Sequence, residues 1–489
     1  MTPEQTFDVL IIGAGPAGTC AALRLLSLGY KVALAESEAF PRPQIGESLS
    51  PGVRNIFDYL NAGELLHTRN YIHQLNAQVI WDTPDPQLVN TAQRGAGVMV
   101  DRAQLDQDLL ELAVHRGLQL YQPARFESCK RTETIWTSTL RTDTGIISIS
   151  SHFILDARGR RGNHMQDRVL TAPQTIALWA ELPGQSLPTD TLIEARPEGW
   201  IWGSPTPGGL FRIITFTDPE TIRQQSLTQV FSGILSATKL FSTAANSNIS
   251  GIQTCSVFTY AHTDPWRDHY LRLGEAAFSL DPLSSTGVEK AMRFSLQAVI
   301  AINTILKTGQ TGMAQSFYEN KMIESIASHT HWTSGYYAQA WPGQEYPFWQ
   351  KRSLPYIDAV GQSTPFYEKL KTRFTPPPPP GPQRLINMQQ ELPRLWHETV
   401  RLSPSLIFEE VPCVIDDILQ LRTAIRHPNL DREIAYVEEV ELSPLLSMAN
   451  KSATFGAIVE EWTTLLPFEQ AVRIAFFLWD KDILCEMPQ

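Results

Sequence analysis

Three glycines stand at the spacing G-x-G-x-x-G in Gly13-Ala14-Gly15-Pro16-Ala17-Gly18, directly after the apolar run Val9-Leu10-Ile11-Ile12. In such a turn the first glycine permits a tight bend and the second lets a pyrophosphate approach the backbone. The third lets a helix pack closely on the strand. Pro16 suits the first position of that helix, whose N-terminus favours an anion. Glu36 ends the next apolar run, 18 residues beyond Gly18, where a carboxylate accepts the hydroxyls of an adenosine ribose, with Ser37 beside it. An acid at this place disfavours a 2′-phosphate. A glycine-rich turn with no ligand is the alternative.

A second stretch carries polar groups among helix breakers. Residues 41–53, PRPQIGESLSPGV, hold three prolines and two glycines around Glu47 and Ser48. Breakers at this density fit a backbone that passes close to something, and Gly46 permits that approach. A plain turn ahead of a helix starting at Pro51 is the alternative. Further on, Trp200-Ile201-Trp202 sets two indoles at strand spacing. His329 and His331 are two apart, which puts them on different faces of a helix, so no metal is assigned. The aromatic stretch at 331–349 fits a core better than a substrate entrance.

Taken together, these segments resemble the FAD-dependent monooxygenases of the p-hydroxybenzoate hydroxylase type and their flavin-dependent halogenase branch, over about residues 6–370. Arg102, in MVDRAQLDQDLLELAVHRG, matches the family's arginine that opens a helix beside the flavin. Asp156, in FILDARGRRG, matches its D-[AG]-x-G segment. GEAAFSLDPLSSTGVEKA matches G-D-A-A…D-P-x-x-S-x-G-V, which implies that Gly274, Pro282, Thr286, Gly287 and Val288 line the flavin. Glu275 stands where the family has aspartate, one methylene shorter. Gly46-Glu47-Ser48-Leu49-Ser50-Pro51 fits the branch's G-E-S-x-x-P, which passes close to the flavin ring.

The resemblance implies FAD, reduced by NAD(P)H directly or by a separate flavin reductase, since no second G-x-G-x-x-G is found. It also implies a flavin C4a-hydroperoxide that donates oxygen to an electron-rich ring. Trp200-Ile201-Trp202-Gly203-Ser204-Pro205 is similar to the halogenases' W-x-W-x-I-P, with Ser204 in the isoleucine position. Halogenases also need a lysine after the G-E-[AS] segment, and no lysine occurs between Lys31 and Lys130. Hydroxylation therefore leads and halogenation of an indole, phenol or pyrrole follows. Glu47 and Trp202 are the candidate catalytic residues: Glu47 as a proton acceptor or as a structural acceptor for backbone N–H groups, Trp202 as a water-excluding wall or as packing. PRPQIGESLSPGV and DPLSSTG look most like the flavoproteins that mature cysteine tryptophylquinone enzymes, which implies a protein or peptide substrate bearing tryptophan. A prenyl-chain reductase and a non-catalytic flavin-bearing chaperone are further alternatives.

The elements that must position these residues read as an α/β fold. A Rossmann-like FAD-binding part (segments about 6–60, 95–165 and 265–310) encloses an inserted antiparallel substrate sheet (about 65–95 and 165–265), together spanning 1–375. Five consecutive prolines in the linker 376–383 form a stiff spacer of roughly 15 Å. Residues 384–489 form a small, mainly helical domain. In it Phe455, Ile458, Val459, Trp462 and Leu465 make one apolar stripe behind a Thr454 N-cap. This tail, with 9 Lys+Arg against 17 Asp+Glu, carries much of the formal charge of 40 − 51 = −11. It is either a docking platform or lid for a partner, or a stabilising cap.

The acidic balance opposes non-specific attraction to nucleic acid or anionic membrane. Cysteines 20, 129, 255, 413 and 485 are odd in number and form no CxxC, as expected of reduced thiols. Glu4 and Asp8 interrupt any signal-peptide pattern, and no run reaches the ~20 apolar residues of a membrane span. The expectation is a cytoplasmic enzyme.

Overall fold

The computed structural model describes residues 6–73, 75–91, 95, 97–162, 167–184, 187–223, 225–245, 249, 251–343, 345–360, 363–375, 387–449 and 453–486. The proline linker expected at 376–383, and residues 384–386 after it, lie outside the described residues. The chain divides into two compact units, residues 1–302 with 318–376, and residues 303–317 with 377–489.

In chain order the elements that position the site begin with β1 (Thr6–Ile12), α1 (Pro16–Ser27), β2 (Val32–Ala35), β3 (Ser48–Leu49), β4 (Ala77–Ile80), β5 (Val98–Met99), α2 (Arg102–His115), β6 (Gln119–Tyr121) and β7 (Gly145–Asp156). Then come β8 (Thr175–Pro183), β9 (Thr191–Arg196), β10 (Gly199–Pro205), β11 (Leu210–Thr217), α3 (Leu227–Ser236), β12 (Gln253–Val257), β13 (Tyr270–Arg272), α4 (Gly287–Thr308) and α5 (Thr311–Gln339). Strands β6, β2, β1, β7 and β13 lie side by side and pair in parallel throughout. A parallel strand is covered on both faces, which is why β1 reads as a continuous apolar run and why Val9, Leu10 and Ile11 are fully buried.

The second sheet has seven strands, in the order β12, β8, β11, β10, β9, β4 and Gln87–Val89. Its pairings are antiparallel except between β9 and β4. Alternation along each strand gives it two different faces. Leu178, Ile201 and Ile213 point to one side and pack under Phe231 and Ile234 of α3, a helix started by a capping box between Ser226 and Gln229. Trp200, Trp202 and Phe216 point to the other, where Trp81, Tyr337, Phe348 and Trp349 cover part of the face. The 331–349 stretch therefore divides: Tyr337, Phe348 and Trp349 are core, while Trp332, Tyr336 and Tyr346 are exposed.

The second unit carries strands as well as the expected helices. β14 (Ile407–Ile415) and β15 (Ile418–Arg426) form a hairpin across Asp416 and Asp417, both at positive φ. A two-residue acidic turn between β-branched runs was a readable hairpin signal. Thr454 caps α6 (Phe455–Trp462) by accepting the Ala457 N–H at 3.2 Å, as expected. The stripe buries Phe455, Ile458, Val459 and Trp462 but not Leu465, which lies past the helix end and is 58 % exposed.

Phe231 is fully buried between α3 and the second sheet, whereas Leu88 on the outermost strand is exposed. Phe231→Ala should cost about 3–5 kcal/mol by urea unfolding, and Leu88→Ser less than about 0.5 kcal/mol.

Candidate active site

The glycine turn joins β1 to α1, and its three glycines face different surroundings. A Cβ built on Gly13 (φ +105°) would lie 2.5 Å from the Ala157 carbonyl oxygen, and one on Gly18 would lie 2.0 Å from the Gly13 carbonyl oxygen. Both are required by the chain's own packing. A Cβ on Gly15 would meet only the Arg42 guanidinium, at 3.8 Å. Space is thus kept over Gly15 at the N-terminus of α1, where Pro16 opens the helix and the backbone dipoles favour an anion. These features suit a pyrophosphate.

Glu36, at the end of β2, is 5 % exposed. Its carboxylate accepts the Ala14 N–H at 2.8 Å, the Glu38 N–H at 2.9 Å and the Ser37 hydroxyl at 3.3 Å, and Arg42 lies 3.9 Å away. Local backbone donors thus hold the charge in place, leaving acceptor capacity for hydroxyls. Arg42 is a residue the sequence reading passed over. It sits inside the proline-broken stretch, where nothing local distinguishes it from a solvated loop charge.

Asp156 ends β7 with no exposed surface, and its carboxylate is taken up by the chain itself. Arg158 donates at 2.9 and 2.7 Å, the Tyr270 hydroxyl at 2.8 Å and Arg272 at 3.3 Å. What this segment presents at the glycine turn is backbone, through Ala157. Gly274 (φ +53°) lies close to Ala17 and Ala291, whose Cβ atoms would be 3.1 and 3.4 Å from an added one. The segment beginning at Gly274 is therefore brought to the turn and to α4 together. The longer Glu275 side chain receives a hydrogen bond from Arg160 at 2.9 Å.

α4 begins at Gly287, after the 3₁₀ turn Pro282–Ser284, Ser285 in left-handed conformation, and Thr286. A Cβ on Gly287 would meet nothing within 4 Å, so the helix start, with Val288 next, is open to a ligand. Asp281 caps the preceding turn through the Leu283 N–H at 3.0 Å and receives the Tyr337 hydroxyl at 3.1 Å. Burial pushes its carboxyl above the usual range, against the opposing pull of those donors and Arg352. The G-E-S segment is tied to this helix start by Ser50, whose hydroxyl donates to Glu289.

Two arginines suspend the G-E-S segment. Arg102, the first residue of α2, pairs with Asp106 at 3.0 Å and donates to the carbonyls of Ile45 and Gly46 at 3.3 and 3.4 Å. Gly46 is at φ +98°, and Ser48 pairs with Met99 across β3 and β5. Glu47, 6 % exposed, accepts the Gly46 N–H at 3.0 Å and forms an ion pair with Arg212 of β11. Arg212 also pairs with Glu181 of β8, and its guanidinium lies 4.9 Å over the Trp179 ring. Burial pulls its pKa down from the ordinary arginine value. Arg212 had no sequence signal, because its partner is 165 positions away and only strand register brings them together. Trp202 is not among these loops. It lies on the sheet face that Arg212 shares, in the aromatic cluster that also takes in Met99 and Leu283.

The unequal roles of the glycines are separable. Gly15→Ala should leave apo stability within about 0.5 kcal/mol while weakening FAD binding at least tenfold in a flavin-fluorescence titration. Gly18→Ala should lower the urea midpoint of the apo protein itself.

Comparison with known proteins shows the family. Residues 6–252 match the family model described as FAD binding domain. The tryptophan 2-halogenase of Chondromyces crocatus is 26 % identical over 344 residues, 65 % of this chain and 65 % of that protein, so the match spans just under two thirds of that relative's length. A putative FAD-dependent oxidoreductase, LodB, of Marinomonas mediterranea is 25 % identical over 71 % of this chain and 97 % of its own. Among solved structures, the flavin-dependent halogenase CmlS superposes with a TM-score of 0.75 at 20 % identity, covering 99 % of this chain and 96 % of that one. The peptidyl tryptophan dihydroxylase QhpG gives 0.71 at 19 % identity, covering 98 % and 99 %. With half of its length under a single family description, the chain belongs to the FAD binding domain family.

Proposed function

We propose that this FAD-binding oxidoreductase hydroxylates an electron-rich aromatic ring, a tryptophan side chain of a partner polypeptide, in the building of a quinone cofactor. The observation that carries this reading is the Glu47–Arg212 pair at the G-E-S segment. The cation there is an arginine supplied by the sheet, and the sequence between Lys31 and Lys130 holds no lysine. A guanidinium keeps its proton and offers no free amine to take up an activated halogen. The fold likeness to QhpG, a peptidyl tryptophan dihydroxylase, supports a tryptophan substrate within a polypeptide.

Reduced FAD supplies the chemistry by activating dioxygen to an electrophilic oxygen donor. The chain's own residues bind and orient. The turn at Gly13–Gly18 and α1 take the pyrophosphate, and Glu36 takes the adenosine ribose. The start of α4, from Thr286 to Val288, would offer backbone N–H groups and a partial positive charge to the flavin. Arg102 and Arg212 hold Glu47 and the backbone of the segment in register. Trp202 and its neighbours form an apolar wall that keeps water from the reacting centre. Electrons come from NAD(P)H or from a partner flavin reductase.

Halogenation is the second reading, favoured by the tryptophan 2-halogenase and CmlS likenesses. Mass spectrometry separates the two after reduced FAD, oxygen, chloride and bromide are supplied with free tryptophan, a phenol and a tryptophan-containing polypeptide. A gain of about 16 or 32 mass units, one or two oxygen atoms, on the polypeptide is expected. A halogen isotope pattern on any of the three would put halogenation first.

A further inference from the structure

Strand register sorts the covered and open parts of the second sheet's inner face into three rows. Trp179, Ile214, Trp202 and Ile193 are direct cross-strand neighbours from β8 through β11 and β10 to β9. Two residues along each strand in one direction lie Ala177, Phe216, Trp200 and Ala195, all buried under the aromatic cluster, with the Trp200 ring stacked 4.0 Å from Phe216. Two residues in the other direction lie Glu181, Arg212 and Ser204. Trp179, Ile214 and Ile193 in the middle row are only half-buried. This middle row is therefore apolar and less covered than the row beside it, with Trp179 half-buried, Trp202 nearly covered at 8 % exposed, and charge along its edge.

The edge has a definite sign. Among the described residues Arg212 is the one guanidinium paired with the Glu47 and Glu181 carboxylates, so two acids share a single positive partner. Glu47 and Arg212 are nearly covered, with side chains 8 % and 12 % exposed, while Glu181 is 34 % exposed. At such a partly dry edge a unit charge acts with much less screening than in water.

We propose that the Trp179–Ile214–Trp202–Ile193 band is the floor on which the substrate ring lies, and that Glu181 with Arg212 selects neutral or cationic rings and rejects rings bearing a carboxylate. This rests on the aromatic-substrate reading above and adds the substrate's charge class to it. A peptidyl side chain meets the requirement, because its ring arrives without a free carboxylate. Arg212 is a positioning residue, held over Trp179 and set between the two acids.

Three probes with the same ring and different charge test this on the FAD-loaded full chain by calorimetry: tryptamine, N-acetyltryptophanamide and indole-3-acetate. Tryptamine and the amide should bind at least about fivefold more tightly than indole-3-acetate at low salt. Glu181→Gln, which keeps the Glu47–Arg212 pair, should shrink that gap, and so should 0.5 M salt. Retention of FAD by the variant checks that it folds. Equal or tighter binding of indole-3-acetate overturns the charge assignment and leaves the aromatic reading standing, as does a gap unchanged in Glu181→Gln. If none of the three binds while FAD is retained, the aromatic reading fails and this inference falls with it.

Discussion

A carboxylate with no exposed surface organises the cofactor side of the molecule. Asp156 would be strongly disfavoured as a buried charge without partners, and Arg158, Arg272 and Tyr270 provide them. Losing one partner of such a buried pair costs on the order of 3–5 kcal/mol. The network fixes where β7 and β13 stop. The Asp156 carbonyl receives the Leu273 N–H at 2.8 Å, and Ala157 donates to Ile12 at 2.8 Å. Those two bonds align the ends of three parallel strands, and the glycine turn and the Gly274 turn hang from them. Asp156 thus anchors the strand ends from which the glycine turn is hung.

From that platform the chain reaches the second sheet through side chains that differ in charge and reach. Ser50 bonds Glu289 at the start of α4, and Glu47 bonds Arg212 on the sheet. A short segment therefore ties the helix start to the charged edge of the sheet face. Its two glycines now have a structural account. Gly46 adopts a left-handed backbone against Arg102, and an added Cβ on Gly52 would strike Glu289 at 2.5 Å.

The glycine turn and its flanking elements were legible because their signals are local. Gly13, Gly15, Gly18 and Glu36 act through a strand, a turn and a helix that are contiguous in sequence, and Arg102 lies one residue after its helix cap. The second sheet's inner face was not. Trp200 and Trp202 could be placed on one face of a strand. Which neighbours cover them depends on pairing among four strands, and one sequence does not fix that register. Arg212 and Arg42 are ordinary charges until folding sets them beside Glu47 and Gly15. Glu275 is a compromise case, since its position was readable but its engagement with Arg160 was not. In the second unit, helix periodicity drew attention to α6 and away from the hairpin.

Cys20 lies in α1 just behind the glycine turn, fully buried, with its thiol donating to the Met292 carbonyl at 3.4 Å. Burial raises its pKa far above that of a free thiol. Since oxidants attack thiolates, a sulfur held in this form is chemically quiet. On the oxygenase reading proposed above, the glycine turn is backed by a sulfur that released peroxide would reach last. Oxidative ageing would then begin at the partly exposed Cys129, Cys255, Cys413 and Cys485, and the flavin platform would outlast them.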